Sequence, residues 1–82
     1  MNVYPNPTAG NFELSLYGKI YGNIHTKIYN ALGQIVYQTD FIKKYPQTTQ
    51  TISDAKLNDG IYLLELRSSD NQKLTTRIIV YH

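Results

Sequence analysis

The fold is restricted most tightly by one stretch near the start of the chain, Val3-Tyr4-Pro5-Asn6-Pro7-Thr8-Ala9-Gly10-Asn11-Phe12. Each proline fixes its own φ at about −65° and lacks a backbone N–H, and the residue before each proline favours extended conformations. Asn6 is able to hydrogen-bond to neighbouring backbone, and Gly10 tolerates a positive φ. The stretch therefore predicts a rigid extended segment, a turn, and a strand that begins near Asn11.

Alternation of apolar and polar residues continues along the rest of the chain and predicts β-strands. The predicted strands are a short one at Val3–Tyr4 and longer ones at Asn11–Leu16, Ile24–Tyr29, Gln34–Thr39, Thr48–Ile52, Ile61–Arg67 and Lys73–Tyr81. The fifth of these, Thr48–Ile52, is predicted to lie near a sheet edge. Asp40–Gln47 lacks the pattern and is predicted to be an exposed loop. The nearest approach to a helix is a single turn at Asp54–Leu57.

Two turns carry specific residue signatures. Asn30-Ala31-Leu32-Gly33 has Asn at the first and Gly at the fourth position, as in a type I turn, and Gly33 is able to adopt the left-handed conformation of a bulge. The strand that follows it is therefore predicted to return as a hairpin partner. Asn58-Asp59-Gly60 is predicted to form a second turn, in which Gly60 tolerates a side chain poorly.

Seven strands with turn signals at intervals of about ten residues predict an all-β fold, in the form of a two-sheet antiparallel sandwich. A small β-barrel is the alternative, because periodicity alone does not separate the two. The 82 residues are the size of one small domain. The predicted core contains the inward-facing residues Phe12, Leu14, Leu16, Ile24, Ile28, Val36, Ile52, Leu57, Tyr62, Leu64, Leu66, Ile78 and Val80.

The composition excludes several classes of protein. A net charge of +2, with no basic run longer than Lys43-Lys44, is too weak to predict nucleic-acid binding. The chain has no cysteine, which excludes a disulfide framework and a thiolate metal site. No apolar run approaches the ~20 residues of a transmembrane helix, and the N-terminus lacks a signal-peptide pattern.

Candidate catalytic and metal-binding residues form no convincing site. The six acidic residues are scattered singly, so no pair of carboxylates is predicted for acid–base catalysis. His25 and His82 lack a third patterned ligand for zinc. Asp54, Asn58 and Asp59 share one loop, but their spacing matches no known calcium loop. The sequence therefore predicts a domain that is not an enzyme and that holds no metal or cofactor.

The tyrosines leave a binding surface open as an alternative. The chain has eight tyrosines, and five of them are candidates to present flat rings to a carbohydrate: Tyr17, Tyr21, Tyr29, Tyr37 and Tyr45. Tyr29 and Tyr37 flank the first hairpin turn and are predicted to pair across it, which is commonly a sheet-stabilising contact.

Three motifs, in order and over nearly the whole chain, resemble those of a known family. They are Tyr4-Pro5-Asn6-Pro7-Thr8-x-Gly10-x-Phe12-x-Leu14, then Ile28-Tyr29-Asn30-x-x-Gly33-Gln34-x-Val36, then Ile52 and Leu57-x-x-Gly60-Ile61-Tyr62-x-Leu64-x-Leu66 with a closing Ile78-Ile79-Val80. Together they resemble the C-terminal sorting domain of the type IX secretion system of Bacteroidetes, in its Tyr-Pro-Asn-Pro-bearing type A class.

The resemblance implies a seven-stranded, immunoglobulin-like sandwich that follows N-terminal cargo domains in a larger exported protein. It implies passage through the periplasm, recognition by the outer-membrane translocon, and removal by a sortase-like protease, often with attachment of the cargo to the cell surface. The protein would be secreted or displayed at the cell surface. The motif residues with a structural role would be Tyr4, Pro5, Asn6, Pro7, Gly10, Gly33, Gly60 and Tyr62.

The chain departs from the family pattern at several positions. The family's tail often carries spaced lysines, and here Lys73 and Arg77 occupy that region, which makes them the candidates for translocon recognition. Ser53-Asp54 stands where the family often has an acid followed by an apolar residue. Family cleavage lies upstream of the Tyr-Pro-Asn-Pro motif, so the scissile bond is expected to lie outside these residues, with Met1 an added start. The alternative function is an immunoglobulin-like adhesive or carbohydrate-binding module.

Overall fold

The computed structural model describes residues 1–18, 20–53 and 55–82, and the regular elements in these ranges are all β-strands. They are β1 (Asn2–Tyr4), β2 (Phe12–Tyr17), β3 (Gly22–Tyr29), β4 (Ile35–Lys43), β5 (Gln47–Ile52), β6 (Gly60–Ser68) and β7 (Lys73–Val80). The described ranges contain no helix long and apolar enough to cross a membrane. The prediction of an all-β fold is confirmed. The predicted helical turn at Asp54–Leu57 includes residue 54, which lies outside the described residues.

The strands form two separate antiparallel sheets. The smaller sheet has the order β1-β2-β5, and the larger sheet has the order β4-β3-β6-β7. This is an immunoglobulin-like sandwich in which the fourth strand lies beside the third instead of beside the fifth. Within the described ranges, no strand of one sheet pairs with a strand of the other, which confirms the sandwich and rules out the closed barrel. β5 lies at a sheet edge as predicted.

The core lies between the two sheets and is built from every second residue of each strand. Leu14, Ile28, Leu64 and Ile78 have no exposed surface at all. The other buried apolar residues are Phe12, Leu16, Ile24, Ile52, Leu57, Tyr62, Leu66 and Val80. Burial of each large apolar side chain contributes about 1.5–3 kcal/mol, so this set is the main stabilising contribution in a domain of this size. The predicted core is confirmed at these positions.

The prediction that Val36 belongs to the core is wrong. The register between β3 and β4 shifts by one residue, because Ile28 pairs with Tyr37 while Tyr29 pairs with Ile35. Val36 is the extra residue of this bulge, and it is 40% exposed. A one-residue bulge exchanges the inward and outward positions that follow it. Tyr37 therefore packs against the core, and it does not form the predicted pair with Tyr29, which faces outward.

The predicted loop Asp40–Gln47 is wrong in its first half, because β4 continues to Lys43. The Lys43 side chain is 1% exposed, and its Nζ donates to the carbonyl oxygens of Gly18 at 2.8 Å and Tyr45 at 2.7 Å. The same Nζ lies 4.6 Å from the centre of the Tyr21 ring. These contacts compensate the ammonium group for the water that it loses on burial. Lys43 thereby joins two loops at one end of the sandwich.

The Leu64→Ala substitution is expected to lower the free energy of unfolding by about 2–5 kcal/mol, because it opens a cavity at a fully buried position of β6. A domain of 82 residues has a total of roughly 4–12 kcal/mol, so the loss is large. The control is Leu63→Ala, one residue away and 44% exposed, with an expected loss below about 1 kcal/mol. Urea denaturation measures both, and equal losses would contradict the assignment of faces.

Candidate functional site

The segment Tyr4–Pro7 carries the chain from the smaller sheet to the edge of the larger one. Its two proline peptide bonds are cis. Beyond it, Thr8 forms an isolated parallel bridge with Val80 of β7. The Thr8 N–H donates to the Ile79 carbonyl oxygen at 2.9 Å, and the Tyr81 N–H donates to the Thr8 carbonyl oxygen at 2.8 Å. The Tyr-Pro-Asn-Pro motif therefore connects β1 of one sheet with the free edge of β7 in the other.

The Asn6 side chain makes the second part of this connection. Its Nδ2 donates to the Arg77 carbonyl oxygen at 3.0 Å, and the Ile79 N–H donates to its Oδ1 at 3.0 Å. The sequence predicts bonds between Asn6 and neighbouring backbone, but these partners lie 71 and 73 residues away along the chain. An edge strand exposes unpaired N–H and C=O groups. Asn6 satisfies two of those groups on β7.

Thr8 and Gly10 shape the turn that leads into β2. Thr8 is buried, and its Oγ1 donates to the Asn11 carbonyl oxygen at 2.6 Å and accepts the Gly10 N–H at 3.1 Å. Gly10 is buried with a φ of 114°, a conformation that side chains rarely adopt. A Cβ at this position would lie 3.5 Å from Nε2 of His82. The role of the Thr8 hydroxyl is not predicted from the sequence, although a threonine three residues before Asn11 fits a side-chain-bonded turn.

The hairpin turn between β3 and β4 has the predicted residues in the predicted roles. Asn30 Oδ1 accepts the N–H groups of Leu32 at 3.0 Å and Gln34 at 2.9 Å. Gly33 has a φ of 81°, and its N–H donates to the Asn30 carbonyl oxygen at 3.0 Å. The asparagine side chain thus fixes the turn, and the glycine supplies the left-handed residue that closes it.

Tyr62 and Gly60 lie at the turn that precedes the core of β6. The Tyr62 hydroxyl donates to the Asn58 carbonyl oxygen at 2.8 Å, and its ring is 9% exposed. Gly60 has a φ of 159°, close to an extended strand, and a Cβ there would lie 3.6 Å from the Tyr62 ring. Tyr62 therefore packs its ring in the core and binds the backbone of the turn with its hydroxyl.

Asp59, one of the three loop residues considered and rejected as a calcium site, is bonded to another residue in the structure. Asp59 Oδ1 accepts the His82 N–H at 2.9 Å and lies 2.5 Å from His82 Nδ1. The hydrogen bond from the His82 side chain lowers the pKa of the Asp59 carboxyl below its usual value. The described residues contain no group of three or more His, Cys, Asp or Glu side chains that could hold a metal ion. Asp54 lies outside the described residues.

Lys73 and Arg77 lie on the outward face of β7, and both are exposed. Lys73 is opposite Arg67 of β6, and Arg77 is opposite Leu63. Between them on β6 lies Glu65, which is 7% exposed although it is on the outward face. Its Oε1 accepts a hydrogen bond from Arg67 Nη2 at 3.1 Å.

Glu65 is held in its charged form by its neighbours. Burial raises the pKa of the Glu65 carboxyl, but hydrogen bonds from Tyr29 and Arg67, with the charge of Lys73, outweigh burial and lower the pKa below its usual value. Glu65 and the buried Lys43 are two polar positions that sequence analysis missed. A signal for Glu65 was present, since it is the single acid within the most apolar strand of the chain.

Comparison of the whole chain with known protein families gives the same assignment as the motifs. Residues 2–81 match the family described as the secretion system C-terminal sorting domain. The chain belongs to this family. The resemblance drawn from the motifs is thereby confirmed, and membership in this type IX sorting family implies export to the cell surface or secretion.

Two relatives carry a segment similar to this sorting domain. The chain is 29% identical over 80 residues to the endo-acting ulvan lyase of Formosa agariphila and 31% identical over 84 residues to ulvan lyase NLR42 of Nonlabens ulvanivorans. Each alignment covers 98% of this chain but 14% of the relative. The similarity to the lyases is therefore confined to a small part of their length. No solved structure matches the chain.

The Asn6→Ala substitution is expected to lower the free energy of unfolding by about 1–3 kcal/mol, because it leaves the Arg77 carbonyl oxygen and the Ile79 N–H without their partner. Amide hydrogen exchange is expected to accelerate at Ile79. The control is Asn2→Ala, an exposed asparagine on β1. Unchanged exchange at Ile79 in the Asn6 variant would contradict the role given to this side chain.

The stability of the domain is expected to decline in acid partly through Glu65. Since its pKa in the folded chain lies below the unfolded value of about 4.3, the unfolded chain binds the proton first as the pH falls. The stabilisation is present above the unfolded pKa and is lost as the pH falls through the folded pKa. Urea denaturation between pH 7 and pH 2 measures the free energy of unfolding, which is expected to fall less steeply with pH in Glu65→Gln than in the unmodified domain. Parallel pH dependences of the two proteins would contradict this role of Glu65.

Proposed function

We propose that this domain is a folded sorting signal that directs an N-terminal cargo protein through the outer membrane by the type IX translocon. The observation that carries the proposal is the family match over residues 2–81. The relatives support a large cargo, because the matched segment is 14% of their length. The domain itself would be recognised as a folded surface and would perform no chemistry.

We further propose that a sortase-like protease removes the domain upstream of the Tyr-Pro-Asn-Pro motif and attaches the cargo to the cell surface. β1 begins at Asn2 and is an edge strand of the smaller sheet. Chain that precedes Asn2 in a fusion would therefore leave from the edge of the sandwich and not from its core. Such a position supports access by a protease, which binds an extended segment.

Lys73 and Arg77 are proposed to contribute to recognition by the translocon. Both are exposed and lie on one face of β7, with one outward-facing residue between them. The backbone of the same strand is held by Asn6 and Thr8, which fixes the position from which the two side chains project. Exposed charges of this kind contribute little to stability, so they are available for binding.

A carbohydrate-binding module is the alternative, and one observation favours it. Tyr17, Tyr21 and Tyr45 are all exposed, at 48%, 46% and 69%, and they lie in or beside the two loops that Lys43 joins. One of these rings, that of Tyr21, is in contact with the Lys43 ammonium group. A module of this kind would bind glycans in isolation and would not export a passenger.

Export of a reporter tests the proposed function. A reporter with a signal peptide, fused in front of this domain in a bacterium with a type IX system, is expected to reach the cell surface or medium. Deletion of residues 73–82 is expected to leave the reporter in the periplasm, because it removes β7 with the buried Ile78 and Val80. Export by the deletion variant would show that this chain is not a sorting signal of this kind.

The double substitution Lys73→Ala with Arg77→Ala separates recognition from folding in the same assay. It is expected to reduce export while the thermal midpoint stays within a few degrees, since both side chains are exposed. The matched control is Lys44→Ala with Lys56→Ala, which removes two exposed charges outside β7. Equal export by the two double variants would assign recognition to other residues.

A further inference from the structure

Six exposed aliphatic side chains gather at one end of the outer face of the larger sheet. They form what we call the aliphatic patch: Leu32, Ile35, Val36, Ile61, Leu63 and Ile79, which are between 40% and 84% exposed. Among the described residues the other exposed large aliphatic side chain is Ile42, at the opposite end of β4. Contiguous exposed apolar surface of this kind marks an interaction site.

The strand register makes the patch continuous. Tyr29 of β3 is paired with Ile35 on one side and Leu63 on the other. Ile61, two residues before Leu63 on the same face of β6, is paired with Ile79 of β7. Directly paired side chains have Cβ atoms about 4.5–5.5 Å apart, so these residues are in mutual reach across all four strands.

The bulge in β4 contributes to this exposure. Ile35 is paired with the outward-facing Tyr29, and the extra residue Val36 is exposed beside it. Bulges commonly redirect side chains at functional sites. Because of the bulge, Ile35 and Val36 are both exposed and neither belongs to the core, although both are apolar residues of a strand.

A concavity adjoins the patch where the first hairpin meets the turn before β6. Its volume is about 240 Å³, and it is lined by Leu32 and Ala31 on one side and by Gly60 and Ile61 on the other. Space of this size accepts one or two side chains of a partner. A flat lipid surface would not fill it, which favours a protein occupant.

The charges beside the patch are predominantly positive and accessible. Arg77 is paired directly with Leu63, and Lys73 projects from the same face of β7. The acidic side chains near the patch are already engaged, Glu65 with Arg67 at 3.1 Å and Asp40 with His25 at 3.0 Å. Asp59, which lines the concavity, is engaged with His82 at 2.5 Å. A complementary partner would therefore carry carboxylates opposite β7.

We propose that the aliphatic patch, with Arg77 at its border, is the docking surface of this domain for a protein of the secretion machinery. The occupant presents apolar side chains to the patch and acidic side chains to Arg77 and Lys73. The inference rests on the proposed function and adds to it the surface used and the chemistry of the partner.

The export assay tests the patch with substitutions to threonine, a smaller and polar β-branched residue, on one sheet face. Ile61→Thr and Ile79→Thr are each expected to lower export about tenfold, as the loss of a central apolar contact does at protein interfaces. The matched control is Ile42→Thr, which changes a residue of similar exposure, 58% against 55% for Ile61, and is expected to stay within about twofold of the unmodified domain. Threonine is β-branched and preserves strand propensity, so thermal midpoints are expected to agree within a few degrees.

A charge reversal tests the predicted acidity of the partner without touching an apolar contact. Arg77→Glu is expected to lower export at least as strongly as Ile61→Thr. Lys44→Glu, which also reverses one positive charge but lies outside the face, is expected to export normally. The two tests are independent, so reduced stability in one variant does not remove the other.

The outcomes distinguish this inference from the function on which it rests. If the unmodified domain does not export the reporter, the proposed function fails and the docking surface with it. If the unmodified domain exports and Ile61→Thr, Ile79→Thr and Arg77→Glu export equally well, the docking surface is overturned while the function stands. A dimer in sedimentation that Ile61→Thr dissociates would reassign the patch to a second copy of the chain. Binding to phosphatidylglycerol vesicles that Ile61→Thr abolishes would reassign it to a lipid surface, and either result overturns the proposal.

Discussion

The attachment of residues 6–8 to the edge of β7 is the contact on which the rest of this sandwich depends. Apolar burial holds the two sheets together, but it is non-directional and does not fix where one sheet ends. The position of the sheet edge is fixed by the hydrogen bonds of Asn6 and Thr8 to Arg77, Ile79 and Tyr81, because each bond has a defined geometry. They also occupy part of an edge that would otherwise be open to pairing with another chain. β1 has three residues and pairs with β2 in the smaller sheet, and the crossing begins directly at its last residue.

The sequence Pro5-Asn6-Pro7 is suited to this task because of what its backbone lacks. Neither proline has an N–H, so the segment is unable to pair with β7 as an ordinary strand. The carboxamide of Asn6 has one donor group and one acceptor group, as a peptide unit has. It bonds to the Arg77 carbonyl oxygen and the Ile79 N–H, and thereby replaces the missing backbone contacts. The motif thus combines a restricted backbone with a side chain that makes the hydrogen bonds which this backbone is unable to make.

Most of the core could be predicted from the sequence because a strand with one buried face repeats every two residues, as at Leu14, Leu64 and Ile78. Val36 could not, since a bulge changes the register by one residue and leaves no trace in the alternation before it. The burial of Lys43 depends on carbonyl groups in two separate loops. The role of Asn6 depends on a strand 71 residues away. Contacts between distant segments decide these positions, and local pattern does not contain them.

In the proposed function, β7 would connect the folding of the domain with its recognition. Its inward side chains Ile78 and Val80 belong to the core, its free edge is held by Asn6, and its outward side carries Arg77 and Ile79. A sorting signal that is read after folding must place its information in exposed residues that the core does not require. The outward residues of β7 meet that condition, while the motif fixes the backbone from which they project. In the proposed function, the Tyr-Pro-Asn-Pro segment would influence recognition through the position of β7, without any need to contact the translocon itself.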